Sequence, residues 1–249
     1  SQARRVLQVN SLLNNLTLPT IGNKMRKWSI VLQNKTTVSN AYVRLAPAMS
    51  EYYLMPDQDN FSSGSLRWDD NLSIHENRHM QQFSSFNKGL TKVFSFLLGQ
   101  EGQLLANGIT IPDYFFEGDA VYQETLVSQQ GRGRMPSFYN GIKALWLQDK
   151  SYSWMKLRSG SLVDYTPGHY EIGYMLTGYG YEKYGDDFWR KVTDDAVRFK
   201  GLFYAFNNAI ERHSGVPYKQ FRKDAMEYYR QKNNLTKTAG NLNEYLTPI

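Results

Sequence analysis

Ser73-Ile74-His75-Glu76-Asn77-Arg78-His79-Met80-Gln81-Gln82 is the stretch on which the reading of this chain turns. It reads as helix, and residues four apart on a helix share one face about 5.4 Å from each other. His75 and His79 can therefore aim their imidazoles at one metal ion. Zinc takes neutral nitrogen ligands at roughly 2.0–2.1 Å, and Glu76 falls beside its open position, where a carboxylate can take a proton from metal-activated water. These residue types fit a zinc-dependent hydrolase. Two histidines at this spacing can also be a half-buried, hydrogen-bonded pair, so a third ligand decides.

The rest of the composition bounds the answer. At 249 residues, 41% hydrophobic and 14% aromatic, the chain can pack one large domain or two small ones. A net charge of +6, spread over Lys and Arg scattered among acids with no run of five or six, argues against nucleic acid as a partner. No cysteine is present, so any metal must be held by His and carboxylates. The longest apolar segment, Val93-Phe94-Ser95-Phe96-Leu97-Leu98, is far short of the ~20 residues that span a bilayer, so no transmembrane segment is expected. No signal-peptide pattern opens the chain, which starts at Ser1 like a processed or trimmed product.

Outward from the motif, the order of elements is sheet first and helices after. Val6, Val9, Leu13 and Leu16 predict an amphipathic helix over Ala3 to Leu16, closed by Leu18-Pro19. Trp28–Leu32, Ala41–Leu45 and Tyr52–Met55 read as three short strands, followed by a polar loop from Gln58 to Ser65. Trp68-Asp69-Asp70 offers acids at the start of the metal helix. An apolar helical stretch then runs to Leu98-Gly99. Further helices are expected around Tyr114–Thr125 and over Pro136–Trp146, Gly168–Tyr184, Asp186–Arg198, Leu202–His213 and Pro217–Gln231, with Tyr181, Tyr184, Phe188 and Trp189 read as packing. This is an α+β order. Residues 1–232 are expected to form the domain, with 233–249 a linker or tail that leads to a possible additional C-terminal domain.

Glu117 and Glu124 lie two turns apart on one expected helix face, so one can ligate the metal while the other holds a ligand histidine from behind. Spacing does not decide which. Here the sequence resembles the gluzincin metallopeptidases, the thermolysin and aminopeptidase N group, and especially the bacterial peptidase MA-like proteins. The resemblance rests on His75-Glu76-Asn77-Arg78-His79, on Phe116-Glu117-Gly118-Asp119-Ala120-Val121-Tyr122-Gln123-Glu124, similar to a Glu-Gly-x-Ala-x-Tyr block, and on Tyr170-Glu171-Ile172-Gly173, similar to Tyr-Glu-Lys-Gly. It covers residues from roughly Trp28 to Tyr229. It implies a zincin-like fold, with a small N-terminal sheet before the metal helix and a helical C-terminal lobe, and a Zn2+ held by His75, His79 and Glu117. It also implies Glu76 as general base, Tyr170 as the phenol that stabilises the oxyanion, a peptide or protein substrate, and an extracytoplasmic location (periplasm, cell envelope or secreted). Glu124 matches the acid that ends the block; its support of a ligand histidine, and that of Asp119, are inferences from helix geometry.

The departures from the family are specific. Thirty-seven residues separate His79 from Glu117, about twice the aminopeptidase spacing, so Phe83 to Asp113 must fold out and return. The Gly-x-Met-x-Asn substrate motif is missing, and Pro47-Ala48-Met49-Ser50-Glu51 keeps only a Met and a Glu at other spacing. Arg132 and Arg134 can project guanidiniums over the cleft to grip substrate, or form a solvated loop. His169 can assist Tyr170 or cap the next helix, and Tyr174, one turn on, is a reserve phenol. The rival to a peptidase is a zinc-bound, catalytically weak recognition or assembly module of a larger envelope protein.

Overall fold

Helix α1 (Gln2–Leu16) forms where Val6, Asn10 and Leu13 recur at helical spacing, and these are the residues it buries. The computed structural model of the chain describes residues 1–58 and 64–233. Most of the loop expected from Gln58 to Ser65 therefore lies outside the described residues, as does the expected linker beyond Asn233.

Three strands follow: β1 (Ser29–Gln33), β2 (Ala41–Arg44) and β3 (Met49–Tyr53), in the order β1-β3-β2. β3 runs parallel to β1 and antiparallel to β2, so Tyr52 pairs with Leu32 on one side and Ala41 on the other. Its fully buried ring packs with Val6, Ala41 and Leu72 in a small core between sheet and helices. The third strand starts three residues and ends two residues before the expected Tyr52–Met55. Its place is set by the register with β1, which runs from Ser29 opposite Met49 to Gln33 opposite Tyr53. Run lengths of apolar residues do not carry that information.

Helix α2 (Trp68–Ser85) begins where expected, with Asp69 and Asp70 in its first turn. Asp70 accepts two hydrogen bonds from Arg5 at 2.6 and 2.7 Å, tying α2 to α1. Much of what α2 buries is polar. Asn77 Nδ2 donates to Asn10 Oδ1 at 2.8 Å, and Gln81 Nε2 to Thr17 Oγ1 at 2.9 Å. Arg78, 1% exposed, donates Nε to Asp119 Oδ2 at 2.7 Å and Nη2 to Asp119 Oδ1 at 3.1 Å. Its remaining donors reach the Tyr181 hydroxyl at 2.8 Å, Gln81 Oε1 at 2.9 Å and the Thr17 carbonyl at 3.0 Å. A buried charge is tolerated when paired and fully hydrogen-bonded, and this network locks α2 to the following lobe.

The long insertion is helix α3 (Gly89–Thr110), which bends sharply at Gly99 (φ 66°, ψ −149°). A Cβ on Gly102 would sit 2.2 Å from the carbonyl oxygen of Phe94. Eight residues of straight helix would separate those levels by about 12 Å, so the two halves fold against each other. The second half returns to α2, where Gln103 Nε2 donates to the Phe83 carbonyl at 2.7 Å and Asn107 Nδ2 to the Phe86 carbonyl at 3.2 Å.

The helical lobe comprises α4 (Asp113–Ser128), α5 (Asn140–Leu147), α6 (Trp154–Ser159), α7 (His169–Tyr184), α8 (Phe188–Val197), α9 (Ala205–Ser214) and α10 (Tyr218–Lys232). α5 is preceded by a 3-10 turn over Pro136–Tyr139, and the six-residue α6 was not expected. The lobe's core is aromatic: Phe115 packs on Trp189 at 4.9 Å between ring centres, and Trp189 stacks on Phe206 at 5.9 Å. α4 and α7 cross with backbone against backbone. A Cβ on Gly118 would lie 2.1 Å from the Gly173 carbonyl carbon, and one on Gly173 would lie 2.1 Å from the Tyr114 carbonyl oxygen. The whole is α+β, mostly helical, with a small N-terminal three-stranded sheet. Among the described residues no helix is long and apolar enough to cross a membrane.

Candidate metal centre

The tip of the site is a convergence of three atoms. His75 Nε2 and His79 Nε2 are 3.1 Å apart, and Glu117 Oε2 lies 3.2 Å from the first and 3.5 Å from the second. His75 and His79 reach this point from one face of α2, and Glu117 comes from α4, which the Arg78–Asp119 pair holds alongside. Ligands at roughly 2.0–2.1 Å on a tetrahedral ion stand about 3.3–3.4 Å from one another, close to the separations seen. The group could hold a metal ion.

Hydrogen bonds behind the ring set its chemistry. His75 Nδ1 is 2.7 Å from Glu124 Oε1, and Arg132 Nη2 is 2.5 Å from the same oxygen. Arg132 Nη2 and His75 Nδ1 are also 2.9 Å apart. Both are donors facing one acceptor, so the imidazole proton belongs on Nδ1 and the Nε2 lone pair faces the convergence point. On His79 the assignment runs through Gln82. Gln82 Nε2 donates to Asp119 Oδ2 at 2.8 Å and to the Phe116 carbonyl at 3.1 Å, which turns Oε1 to His79 Nδ1 at 2.9 Å. In both rings it is thus Nε2 that faces the convergence point, the nitrogen through which each could bind a metal.

Charge in the pocket favours a cation. Burial opposes protonation of His75, but Glu117 and Glu124 outweigh it and push the imidazole up to about 10. His79 is likewise raised against burial, chiefly by Glu117. Glu117 is held far below the usual carboxylate range because His79 and His75 outweigh its burial. Glu124, buried, is kept at about 2 against burial by Arg132 and His75. Glu76, 4% exposed, goes the other way: burial raises its carboxyl, partly offset by the two histidines. Glu76 Oε2 and Glu117 Oε2 are both buried without a hydrogen-bond partner. Two imidazoles and two carboxylates drawn together in one buried pocket are a donor set suited to a divalent ion and its water.

The group lines a cleft of about 630 Å³ whose walls include β2 (Ala41 to Val43), the second half of α3 (Leu104, Asn107, Gly108) and the start of α7 (His169, Tyr170). Tyr170 is half-buried, and burial and Glu117 raise its phenol above the ordinary value, so it stays a donor. The Arg132 guanidinium lies over its ring, 5.0 Å from the centre. His169 is exposed, its ring tilted against that of Tyr170 with centres 4.4 Å apart, and is the first residue of α7 after the N-cap Gly168, so it does not cap that helix.

Other expected positions fall differently. Arg132 meets the cleft, but Arg134 does not. The two belong to one 3-10 turn, in which residues two apart project to different sides. Arg134 instead lines a second cavity with Tyr139 and Tyr174, its Nε 3.4 Å from the Thr125 carbonyl. Tyr174, the reserve phenol, is buried among Phe138, Tyr139 and Tyr229, away from the histidines. Asp119 reaches His79 only through Gln82. Sequence reading missed Gln82, although its position three after His79 places both on one face; it also missed Arg78, whose partners are far off in the chain. Comparison with models of known protein families, with curated proteins and with solved structures found no match for this chain.

Proposed function

We propose that the protein is a zincin-like zinc peptidase in which His75, His79 and Glu117 hold the metal. The observation that carries this reading is the convergence of Nε2, Nε2 and Oε2 at separations of 3.1, 3.2 and 3.5 Å, with the buried Glu76 carboxylate, one oxygen of which meets no hydrogen-bond partner, in the same cleft. When bound, zinc would polarise both the scissile carbonyl and the attacking water. Glu76, its proton affinity raised by burial, takes the proton of that water and later passes it to the leaving amine. The Tyr170 phenol donates a hydrogen bond to the carbonyl oxygen as negative charge gathers there. Glu124 and Gln82 keep the imidazoles turned toward the metal.

A peptide fits the cleft's wall. β2 has β3 on one side and, among the described residues, no strand on the other, and Ala41 to Val43 border the cleft. An extended chain can add to such an edge through main-chain hydrogen bonds.

The test is metal analysis together with cleavage of an unbiased peptide library. One zinc per chain and cleavage abolished by chelator and restored by zinc are expected. Iron in place of zinc, or stoichiometric zinc with no turnover on any peptide, overturns the peptidase reading; the latter favours a recognition module. His79→Ala is expected to lose stoichiometric metal on dialysis against a weak chelator while retaining helical circular dichroism; a variant that still holds one ion per chain places the metal elsewhere. Tyr170→Phe is expected to lower kcat about 10²–10³-fold at unchanged zinc content and KM. Tyr174→Phe is its control: a packed ring losing its hydroxyl forfeits roughly 1 kcal/mol of stability and leaves turnover nearly intact. If neither variant is impaired, another group stabilises the oxyanion.

A further inference from the structure

Helix α3 turns its polar side inward and its apolar side out. Thr91, Gln103, Asn107 and Thr110 are buried, whereas Phe96 is 87% exposed and Leu97, Leu98 and Ile109 are more than half exposed. The three residues just before the Gly99 bend form its tip. A second apolar projection stands beside the first. Thr91 Oγ1 donates to the Val197 carbonyl at 2.8 Å, and Phe94 stacks on Phe199 at 6.2 Å, which brings the turn after α8 against the first half of α3. That turn holds Phe199, Leu202 and Tyr204 at φ of 55–57°, a region non-glycine residues seldom adopt, and leaves Leu202, Phe203 and Tyr204 at least two-thirds exposed. Six large apolar side chains thus project into water from two adjoining segments, far beyond the scattered exposure of an ordinary surface.

Cations stand beside these tips, most of them sharing two aspartates. Lys88 and Arg198 both reach Asp194, at 2.8 and 2.9 Å, and Lys200 and Arg212 both pair with Asp195. With Lys92 there are five cations over residues 88–110 and 194–212 against four acids, Glu101, Asp194, Asp195 and Glu211, on a chain of net charge +6. A protein partner would have to supply a matching pocket for a side chain as exposed as Phe96. A bilayer, by contrast, receives such projections without a complementary pocket. Cations beside apolar tips suit phosphate-bearing anionic headgroups.

We propose that this face docks on an anionic phospholipid bilayer. Phe96–Leu98 and Leu202–Tyr204 enter the boundary between headgroups and acyl chains, and the neighbouring cations meet the lipid phosphates. The attachment is peripheral. Because the second half of α3 borders the metal cleft, docking holds the cleft near the lipid surface. The proposal does not depend on the metal or on catalysis.

The test is co-sedimentation of the chain with phosphatidylcholine vesicles, with and without a third of phosphatidylglycerol. Binding is expected to the anionic vesicles and to weaken with salt. Phe96→Ser with Phe203→Ser is expected to lower partitioning about tenfold per residue, with an unchanged melting temperature. Lys92→Glu with Lys200→Glu, which leaves every apolar side chain in place, is expected to weaken anionic binding severalfold and serves should the serine variant fold poorly. Leu7→Ser with Leu12→Ser, exposed on α1, should change nothing. The proposal is overturned if the parent chain binds neither vesicle, or if all variants bind alike. It is also overturned if vesicle binding is absent and sedimentation shows a dimer that Phe96→Ser dissociates, which assigns the face to a second copy.

Discussion

Glu76→Gln is expected to retain one zinc per chain and to lower kcat about 10²–10⁴-fold, the usual cost of losing a general base. The amide has the shape of the carboxylate, and the three ligand side chains are untouched, so metal content and fold should match the parent. What is lost is the ability to take a proton. Glu76 is equipped for that task by its setting: a carboxylate 4% exposed, with one oxygen that meets no donor from the protein and a proton affinity raised by burial. Kinetics at equal zinc occupancy check it. Turnover within a factor of a few of the parent would move the base elsewhere in the cleft, where Asp57 and Asp113 are the carboxylates outside the metal group and the Arg132 contact.

Arg78→Ala is expected to destabilise the protein by about 3–5 kcal/mol, because it leaves Asp119 buried as an unpaired charge. For a chain of this size that is a fall in Tm of roughly 6–20 °C. The loss reaches further than one ion pair, since Arg78 also satisfies the Thr17 carbonyl, Gln81 and Tyr181. It reaches His79 too, because Asp119 orients Gln82, which orients the imidazole. Urea unfolding of the parent, Arg78→Ala and Arg78→Met with Asp119→Leu checks it. The double variant, which leaves no unpaired charge, should recover part of the stability. A single variant within about 1 kcal/mol of the parent would show that the pair is not what holds α2 to α4.

Helix α2 was legible because first-turn acids and periodicity are local signals. Trp68 and its two acids mark its start, and four-residue spacing places the histidines. Glu117 and Glu124 were legible as a pair for the same reason, but not their division of labour, which depends on how α4 sits against α2. Arg78 looks in sequence like a solvated residue between two histidines; its burial is decided by an aspartate 41 positions away. β3 was displaced in the reading because a parallel partner fixes its register, and the six residues of α6 are too few to show a period. The turn at Arg132 and Arg134 showed two arginines but not that one would be turned from the cleft.

The crossing of α4 and α7 at Gly118 and Gly173 bears on how this cleft could change. Glu117 precedes the first glycine, and Tyr170 lies one turn before the second, so the gap between carboxylate and phenol is gauged by peptide units in contact, with no side chain between them. Side-chain replacement can open most crevices a little at a time; this wall has no such increments, and even a methyl group at either glycine would force the helices apart. Variation in what the cleft admits must therefore come from the opposite side, where β2 and the returning half of α3 offer residues free to be exchanged without shifting the gauge.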